Sequence, residues 1–135
     1  MRAIAAAAAI AVAAVALSSC DPIDVMGGPR PSEGDLRASA IRHVDNAFLM
    51  LRCQVPTAMA VPSLMEAWYM EPARIEGALA TMRRRGDAVE VGDRTVYMGE
   101  SCGYCRDLIH AGRGETCPEL DLRLLDEAWA RGRRS

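Results

Sequence analysis

The stretch that decides the fold is residues 72–98, PARIEGALATMRRRGDAVEVGDRTVYM, where the spacing of apolar residues changes from helical to alternating. In its first half, apolar residues recur every three or four positions, as on one face of an α-helix. They are Ile75, Ala78, Leu79 and Met82. Pro72 suits the first turn of this helix, and Gly86 suits its end. Residues 88–91 and 94–98 then alternate around Gly92-Asp93, which predicts a type II′ β-hairpin.

Two further helices are predicted before this stretch. Apolar residues at helical spacing follow Ser32 and predict a long helix ending near Cys53. The capping box Ser63-Leu64-Met65-Glu66 predicts a short second helix that ends at Met70. We expect its large apolar side chains, Leu64, Met65, Trp68 and Tyr69, to pack in the core. Any part of them that stays exposed would form a partner-binding patch.

Helical segments are also predicted after the hairpin. Residues 104–111 suit one or two helical turns, and Thr116-Cys117-Pro118-Glu119 suits the start of a terminal helix. We expect a single folded domain over residues 32–131 and a disordered tail over residues 132–135. The predicted fold class is therefore mainly α with a small β-hairpin (α+β), cross-linked by disulfides.

The order of these elements resembles the winged-helix arrangement, in which three helices are followed by a hairpin. The residues that carry the resemblance are Ser63–Met70 as second helix, Pro72–Arg85 as third helix and Ala88–Met98 as the wing. The resemblance implies a third helix that could enter a DNA groove, with Arg83, Arg84 and Arg85 on phosphates.

The net charge of the chain argues against DNA binding. The 135-residue chain carries a formal charge of −2, and the third helix mixes Arg74 with Glu71 and Glu76. We therefore expect no nucleic-acid partner, and we interpret Arg83–Arg85 as a solvated helix end. The composition also excludes a collagen-like chain, a disordered chain and a multi-span membrane protein.

The N-terminus has the pattern of a secretory signal peptide. Met1-Arg2 is followed by an unbroken apolar run over residues 3–17, which is too short for a transmembrane helix. The run ends in Leu17-Ser18-Ser19-Cys20, which resembles the lipobox of bacterial lipoproteins. The resemblance implies that residues 1–19 are removed and that Cys20 receives diacylglyceryl and N-acyl chains such as palmitate. Residues 20–31, rich in Pro and Gly, then form a flexible tether.

This resemblance also implies a location. A lipidated protein of this kind lies in the bacterial cell envelope and faces the periplasm, and Asp21 resembles the signal for retention in the inner membrane. Loss of Arg2 changes the formal charge from −2 to −3. The acyl chains, rather than attraction to anionic lipid, would therefore hold the protein on the membrane.

Apart from Cys20 the chain has four cysteines, Cys53, Cys102, Cys105 and Cys117. An even number in a small exported domain predicts two disulfides, for which three connectivities are open. One attractive arrangement links Cys53 to a member of the Cys102/Cys105 pair and the other member to Cys117. It would fasten the C-terminal region to the helical core.

These cysteines also allow two other interpretations. Cys102-Gly103-Tyr104-Cys105 resembles the local setting of a thioredoxin-like redox pair, although too few residues follow it for a thioredoxin fold. Four thiolates could also bind a structural zinc, but Cys53 is remote in sequence, and an oxidising compartment favours disulfides. We expect no metal.

The remaining polar residues indicate no catalytic motif. His43 is expected on the exposed flank of the first helix, His110 near the end of a short helix, and Asp126-Glu127 on a solvated helix face. We therefore expect no enzyme activity, no small-molecule substrate and no cofactor beyond the lipid on Cys20. The sequence favours a membrane-anchored structural or docking module of a larger envelope assembly with a protein partner. The alternative is thiol–disulfide exchange by Cys102 and Cys105.

Overall fold

The structure, a computed structural model, describes residues 30–133 and leaves the side chain of Arg133 undescribed. The predicted signal peptide, Cys20 and the tether up to residue 29 lie outside the described residues. The chain divides into two units, Met1–Ser32 and Glu33–Ser135, and the fold described here is that of the second.

Five α-helices and three β-strands make up the regular structure of the described residues. In chain order they are α1 (Glu33–Met50), β1 (Gln54–Pro56), α2 (Ala60–Ala67), α3 (Pro72–Arg84), β2 (Ala88–Val91), β3 (Arg94–Tyr97), α4 (Glu100–His110) and α5 (Leu122–Arg133). A single 3-10 turn, Thr57–Met59, joins β1 to α2. The α+β prediction is confirmed, while the winged-helix resemblance stays a prediction. None of the described helices is long and apolar enough to cross a bilayer.

The strands form one antiparallel sheet in the order β1-β3-β2. The predicted hairpin is present, with Val89 opposite Val96. At its turn Gly92 has a φ of 62°, whereas Asp93 is not among the residues with positive φ, as a type II′ turn requires. Strand β1 was not predicted, because three residues that include Pro56 are too short to show an alternating pattern.

The start of α2 differs from the prediction. The helix begins at Ala60, so Ser63 lies inside it and the proposed capping box is wrong. The N-cap residue is Met59, whose side chain makes no capping hydrogen bond. Pro62 does not interrupt the helix because it lies in the first turn, where amide protons have no partner within the helix.

The last two helices also start at different residues from those predicted. Helix α4 begins at Glu100, one turn before Tyr104, and α5 begins at Leu122 rather than near Thr116. Asp121 caps α5, because its Oδ1 accepts a hydrogen bond from the Leu124 amide at 3.1 Å. Helix α5 continues through Gly132 to Arg133, whereas the sequence analysis placed the start of the C-terminal tail at residue 132.

The core lies where α1, α3 and the sheet meet, and α2, α4 and α5 close its sides. Its most deeply buried large side chains are Phe48, Leu64, Ile75, Met82 and Leu125. The aromatic rings of Phe48 and Tyr97 stack with their centroids 4.7 Å apart, which joins α1 to β3. The burial of the α1 and α3 stripes follows the helical spacing read from the sequence.

A close backbone approach fixes the end of α5 against the loop after α3. A Cβ atom placed on Gly132 would lie 2.6 Å from the Gly86 carbonyl oxygen, closer than real Cβ atoms come. Glycine at position 132 is therefore needed for this contact. A Cβ atom placed on Gly77, which also lies inside a helix, would meet no atom within 4 Å.

These two glycines give a matched test of the packing. We expect Gly132→Ala to lower the free energy of unfolding by about 1–3 kcal/mol, because the methyl group must displace backbone. Gly77→Ala should instead raise it by roughly 0.5–1 kcal/mol, the usual gain in helix propensity. Urea denaturation followed by circular dichroism measures both. Equal stabilisation by the two substitutions would show that α5 does not contact Gly86 in solution.

Candidate functional site

The four cysteines of the described chain form two disulfides that meet on α4. Cys53 bonds to Cys102 and Cys105 bonds to Cys117, with Cα atoms 5.9 Å and 5.8 Å apart. Each bond has ordinary disulfide geometry at the Cα atoms. Of the connectivities that the sequence left open, the structure adopts the one that fastens the C-terminal region to the helical core.

The two disulfides differ in their exposure to solvent. Cys53 and Cys102 are fully buried, and their bond lies inside the core. Cys105 is buried, but Cys117 is only half-buried, so the second bond lies nearer the surface. Reductants therefore reach the Cys105–Cys117 bond more easily than the Cys53–Cys102 bond.

The sequence also allows thiol–disulfide exchange by Cys102 and Cys105, and a structural zinc site. Cys102 and Cys105 are not bonded to each other, and each has a different partner. Exchange chemistry by this pair stays a prediction. Among the described residues, no three or more His, Cys, Asp or Glu side chains are grouped so that they could hold a metal ion.

The chain leaves α1 through a strained turn that ends at the buried disulfide. Arg52 and Cys53 have φ values of 62° and 68°, in the left-handed region that non-glycine residues avoid. Such a conformation costs about 1–3 kcal/mol for each residue. It is held by the Cys53 amide, which donates to the Phe48 carbonyl at 2.7 Å, and by the Cys53 carbonyl, which accepts from the Tyr97 amide at 2.9 Å.

A carboxylate on α1 holds the first turn of α4. Asp45 Oδ1 accepts hydrogen bonds from the Tyr97 hydroxyl at 2.5 Å and from the Ser101 amide at 3.1 Å. The Ser101 hydroxyl also donates to the Asp45 carbonyl at 3.3 Å. Because Ser101 lies at the N-terminus of α4, the negative charge meets the positive end of the helix dipole.

This cluster changes the acidity of Tyr97. Burial, and then the hydrogen bond to Asp45, raise the pKa of the Tyr97 hydroxyl well above its ordinary value of 10.0. The hydroxyl therefore stays protonated as a donor to Asp45 throughout the physiological range. Its role is to connect β3 with α1.

A second polar cluster joins α4 to α5. Asp126 Oδ1 contacts Arg106 Nε at 2.7 Å and His110 Nε2 at 2.9 Å. The guanidinium of Arg106 also lies over the Trp129 ring, 4.9 Å from its centroid. The hydrogen bond from His110, and then Arg106, lower the pKa of the Asp126 carboxyl. Asp126 lies on a partly solvated helix face, as predicted, with its side chain 41% exposed, and it also binds α4 to α5.

An exposed aromatic surface lies beside α1 and α2. It consists of Trp68 and Tyr69, which are 41% and 82% exposed, and of His43 and Met50 on α1. The rings of His43 and Trp68 stack with centroids 5.4 Å apart. Met50, 62% exposed, lies seven residues after His43 and so on the same face of α1.

The expectation that Trp68 and Tyr69 pack in the core is therefore wrong. Helix α2 ends at Ala67, three residues before the predicted end, and Trp68 has an extended backbone. Both residues therefore lie beyond the helix whose face buries Leu64, and both rings are exposed. His43, predicted on an exposed flank, is half-buried under Trp68.

A groove of about 600 Å³ lies between α1 and α3. Small side chains such as Ala40 and Ala78 line it, and its rim carries both signs of charge. The rim residues are Arg37, Arg74, Arg84, Glu33 and Glu71. Such a mixed rim does not favour an anionic polymer, which needs a positively charged surface.

Comparison with known proteins gives no relative for this chain. No family model, no curated protein and no solved structure matches it.

The two disulfides should contribute unequally to stability. On the chain-entropy model, closing loops of 49 and 12 residues is worth about 4 and about 3 kcal/mol. We expect Cys53→Ala/Cys102→Ala to lower the free energy of unfolding more than Cys105→Ala/Cys117→Ala does, since the first pair also lies in the core. Urea titration of the two double variants measures the difference, and the reverse order would contradict it.

The Asp45 cluster gives a second test. Tyr97→Phe should lower the free energy of unfolding by about 1–2 kcal/mol, because it removes one donor to Asp45. The control is Tyr104→Phe, which changes a tyrosine that is 65% exposed and should have no effect.

The same variants also test the pH dependence. In the unfolded chain Tyr97 loses its proton near its ordinary pKa of 10.0, whereas the folded chain retains it at higher pH. Its contribution to stability is therefore fully present below pH 10 and decreases as pH rises above that value. Tyr97→Phe should make the alkaline fall in stability shallower, and Tyr104→Phe should leave it unchanged. An identical alkaline fall in both variants would contradict the assignment.

Proposed function

We propose that this chain is a lipid-anchored protein of the bacterial cell envelope whose α+β domain is a structural or docking module of a larger assembly. The observation that carries the proposal is the cysteine pairing. The domain uses Cys53, Cys102, Cys105 and Cys117 in two disulfides, which leaves Cys20 as the odd one. That cysteine ends the lipobox-like sequence Leu17-Ser18-Ser19-Cys20.

The disulfides support an exported location. Disulfides persist in oxidising compartments such as the periplasm and are rare in the cytosol. A signal peptide over residues 1–19 would deliver the chain to that compartment. Acylation of Cys20 there would remove the thiol that could otherwise exchange with the two native pairs.

The position of Cys20 in the sequence supports an anchored domain. Residues 20–31 contain three Pro and two Gly and precede the compact unit that begins at Glu33. A tether of this length holds the domain within about 40 Å of the bilayer. Asp21 favours the inner membrane, and the mature charge of −3 leaves the lipid as the anchor.

A non-enzymatic role is supported by how the titratable residues are used. Asp45 and Tyr97 connect α1, β3 and α4, while Arg106, His110 and Asp126 connect α4 to α5. These groups hold helices together. The aromatic surface instead offers apolar area to solvent, which is typical of a surface that contacts a partner or a membrane.

Mass spectrometry of the native protein tests the proposal. The protein is extracted in detergent, alkylated without reduction, and measured intact and as peptides. We expect a chain that begins at an acylated Cys20 and carries no alkyl group on the other four cysteines. An unprocessed Met1 with alkylated thiols would overturn the envelope proposal, and a bond between Cys102 and Cys105 would favour the exchange hypothesis.

Two variants make the test specific. Cys20→Ser should abolish acylation, because the thiol is the group that accepts the diacylglyceryl chain. Ser18→Ala keeps a small residue in the lipobox and should be acylated normally. Acylation of both variants, or of neither, would contradict the assignment of Cys20.

A further inference from the structure

We propose that the aromatic surface formed by His43, Met50, Trp68 and Tyr69 rests on the interface of the bilayer to which the chain is anchored. The inference rests on the proposed lipidation of Cys20. The surface contacts the headgroups and the upper part of the acyl chains. This region of a bilayer accommodates both amphipathic rings and thioethers.

The chemistry of the surface fits this region of a membrane. Tryptophan and tyrosine rings concentrate at membrane interfaces, where one edge is apolar and the other is hydrated. Trp68 has an extended backbone, and Tyr69, which follows it directly, is 82% exposed. Stacking on His43 already orders the Trp68 ring, so that little side-chain freedom is lost when it inserts.

The tether allows the surface to reach the lipid. Residues 20–31 can extend to about 40 Å, while His43 lies ten residues into α1, about 15 Å from Glu33 along the helix. The anchor therefore does not keep the aromatic surface away from the bilayer. A short linker also raises the effective concentration of the aromatic surface at the bilayer to the order of millimolar. A weak apolar contact is then sufficient to keep the surface on the lipid.

Charge indicates what kind of contact this is. The mature chain carries a formal charge of −3. Around the surface itself, Glu66 and Glu71 flank the two rings in sequence, while the exposed Arg42 and Arg52 lie near His43 and Met50. These flanking charges balance, so anionic lipid would not be attracted, and the contact depends on burial of apolar area. Binding should therefore be insensitive to salt and should not increase with the fraction of anionic lipid.

Fluorescence quenching of the full lipidated chain tests the proposal. Trp129→Phe leaves Trp68 as the single tryptophan, and the protein is reconstituted into vesicles of phosphatidylcholine brominated on its acyl chains. We expect the Trp68 emission to be about twofold lower than in unbrominated vesicles, because inserted rings lie near the bromines. Added salt or phosphatidylglycerol should not change the quenching.

Matched variants separate a specific contact from general proximity. Tyr69→Ser should reduce the quenching of Trp68, whereas Tyr104→Ser, at another exposed tyrosine on α4, should not. Equal emission in brominated and unbrominated vesicles would overturn the proposal. So would protection of Trp68 from aqueous acrylamide that occurs only in native membranes containing other proteins, since the occupant would then be a protein.

The outcomes distinguish this inference from the function on which it rests. A chain that floats with the vesicles and carries lipid on Cys20, but whose Trp68 is not quenched by bromine, overturns the bilayer contact alone. A chain that carries no lipid and does not float overturns the anchor and the contact together.

Discussion

The Cys53–Cys102 bond is the constraint on which the rest of the domain depends. It is fully buried, and it joins the end of α1 to the first turn of α4 across 49 residues. Cys53 has a left-handed backbone there, and the turn starts β1 immediately afterwards. Without this connection the strained exit of α1 would lose the bond that offsets its conformational cost, and β1 would lose its register against β3.

Helix α4 makes three further tertiary connections. Asp45 of α1 holds its N-terminus, the Cys105–Cys117 bond ties its middle to the following loop, and Asp126 of α5 binds its last turns. These contacts are covalent or charged, and they come from both ends of the domain. The Asp126 contacts add to the packing of α5 against β2 and β3 through Leu125 and Ala128.

This arrangement leaves α1 with two different sides. One side packs in the core through Val44 and Phe48, and the other carries His43 under the exposed ring of Trp68. The disulfides and the Asp45 cluster stabilise the domain without using the aromatic surface. That surface is therefore free to contact a membrane or a partner while the fold stays unchanged.

The sequence by itself determined the helices α1 and α3, the hairpin and the α+β class, because their apolar spacing, Pro72 and Gly92 are local signals that packing reinforces. It also identified the four cysteines, but their pairing required the three-dimensional distances. Only the tertiary structure decided β1, the cap at Asp121, the joint at Asp126 and the exposure of Trp68. The sheet pairing of β1 and the joint at Asp126 depend on residues distant in sequence. The cap at Asp121 and the exposure of Trp68 depend on helix ends that lie a few residues from where the apolar spacing predicts them. Local periodicity carries no information about either.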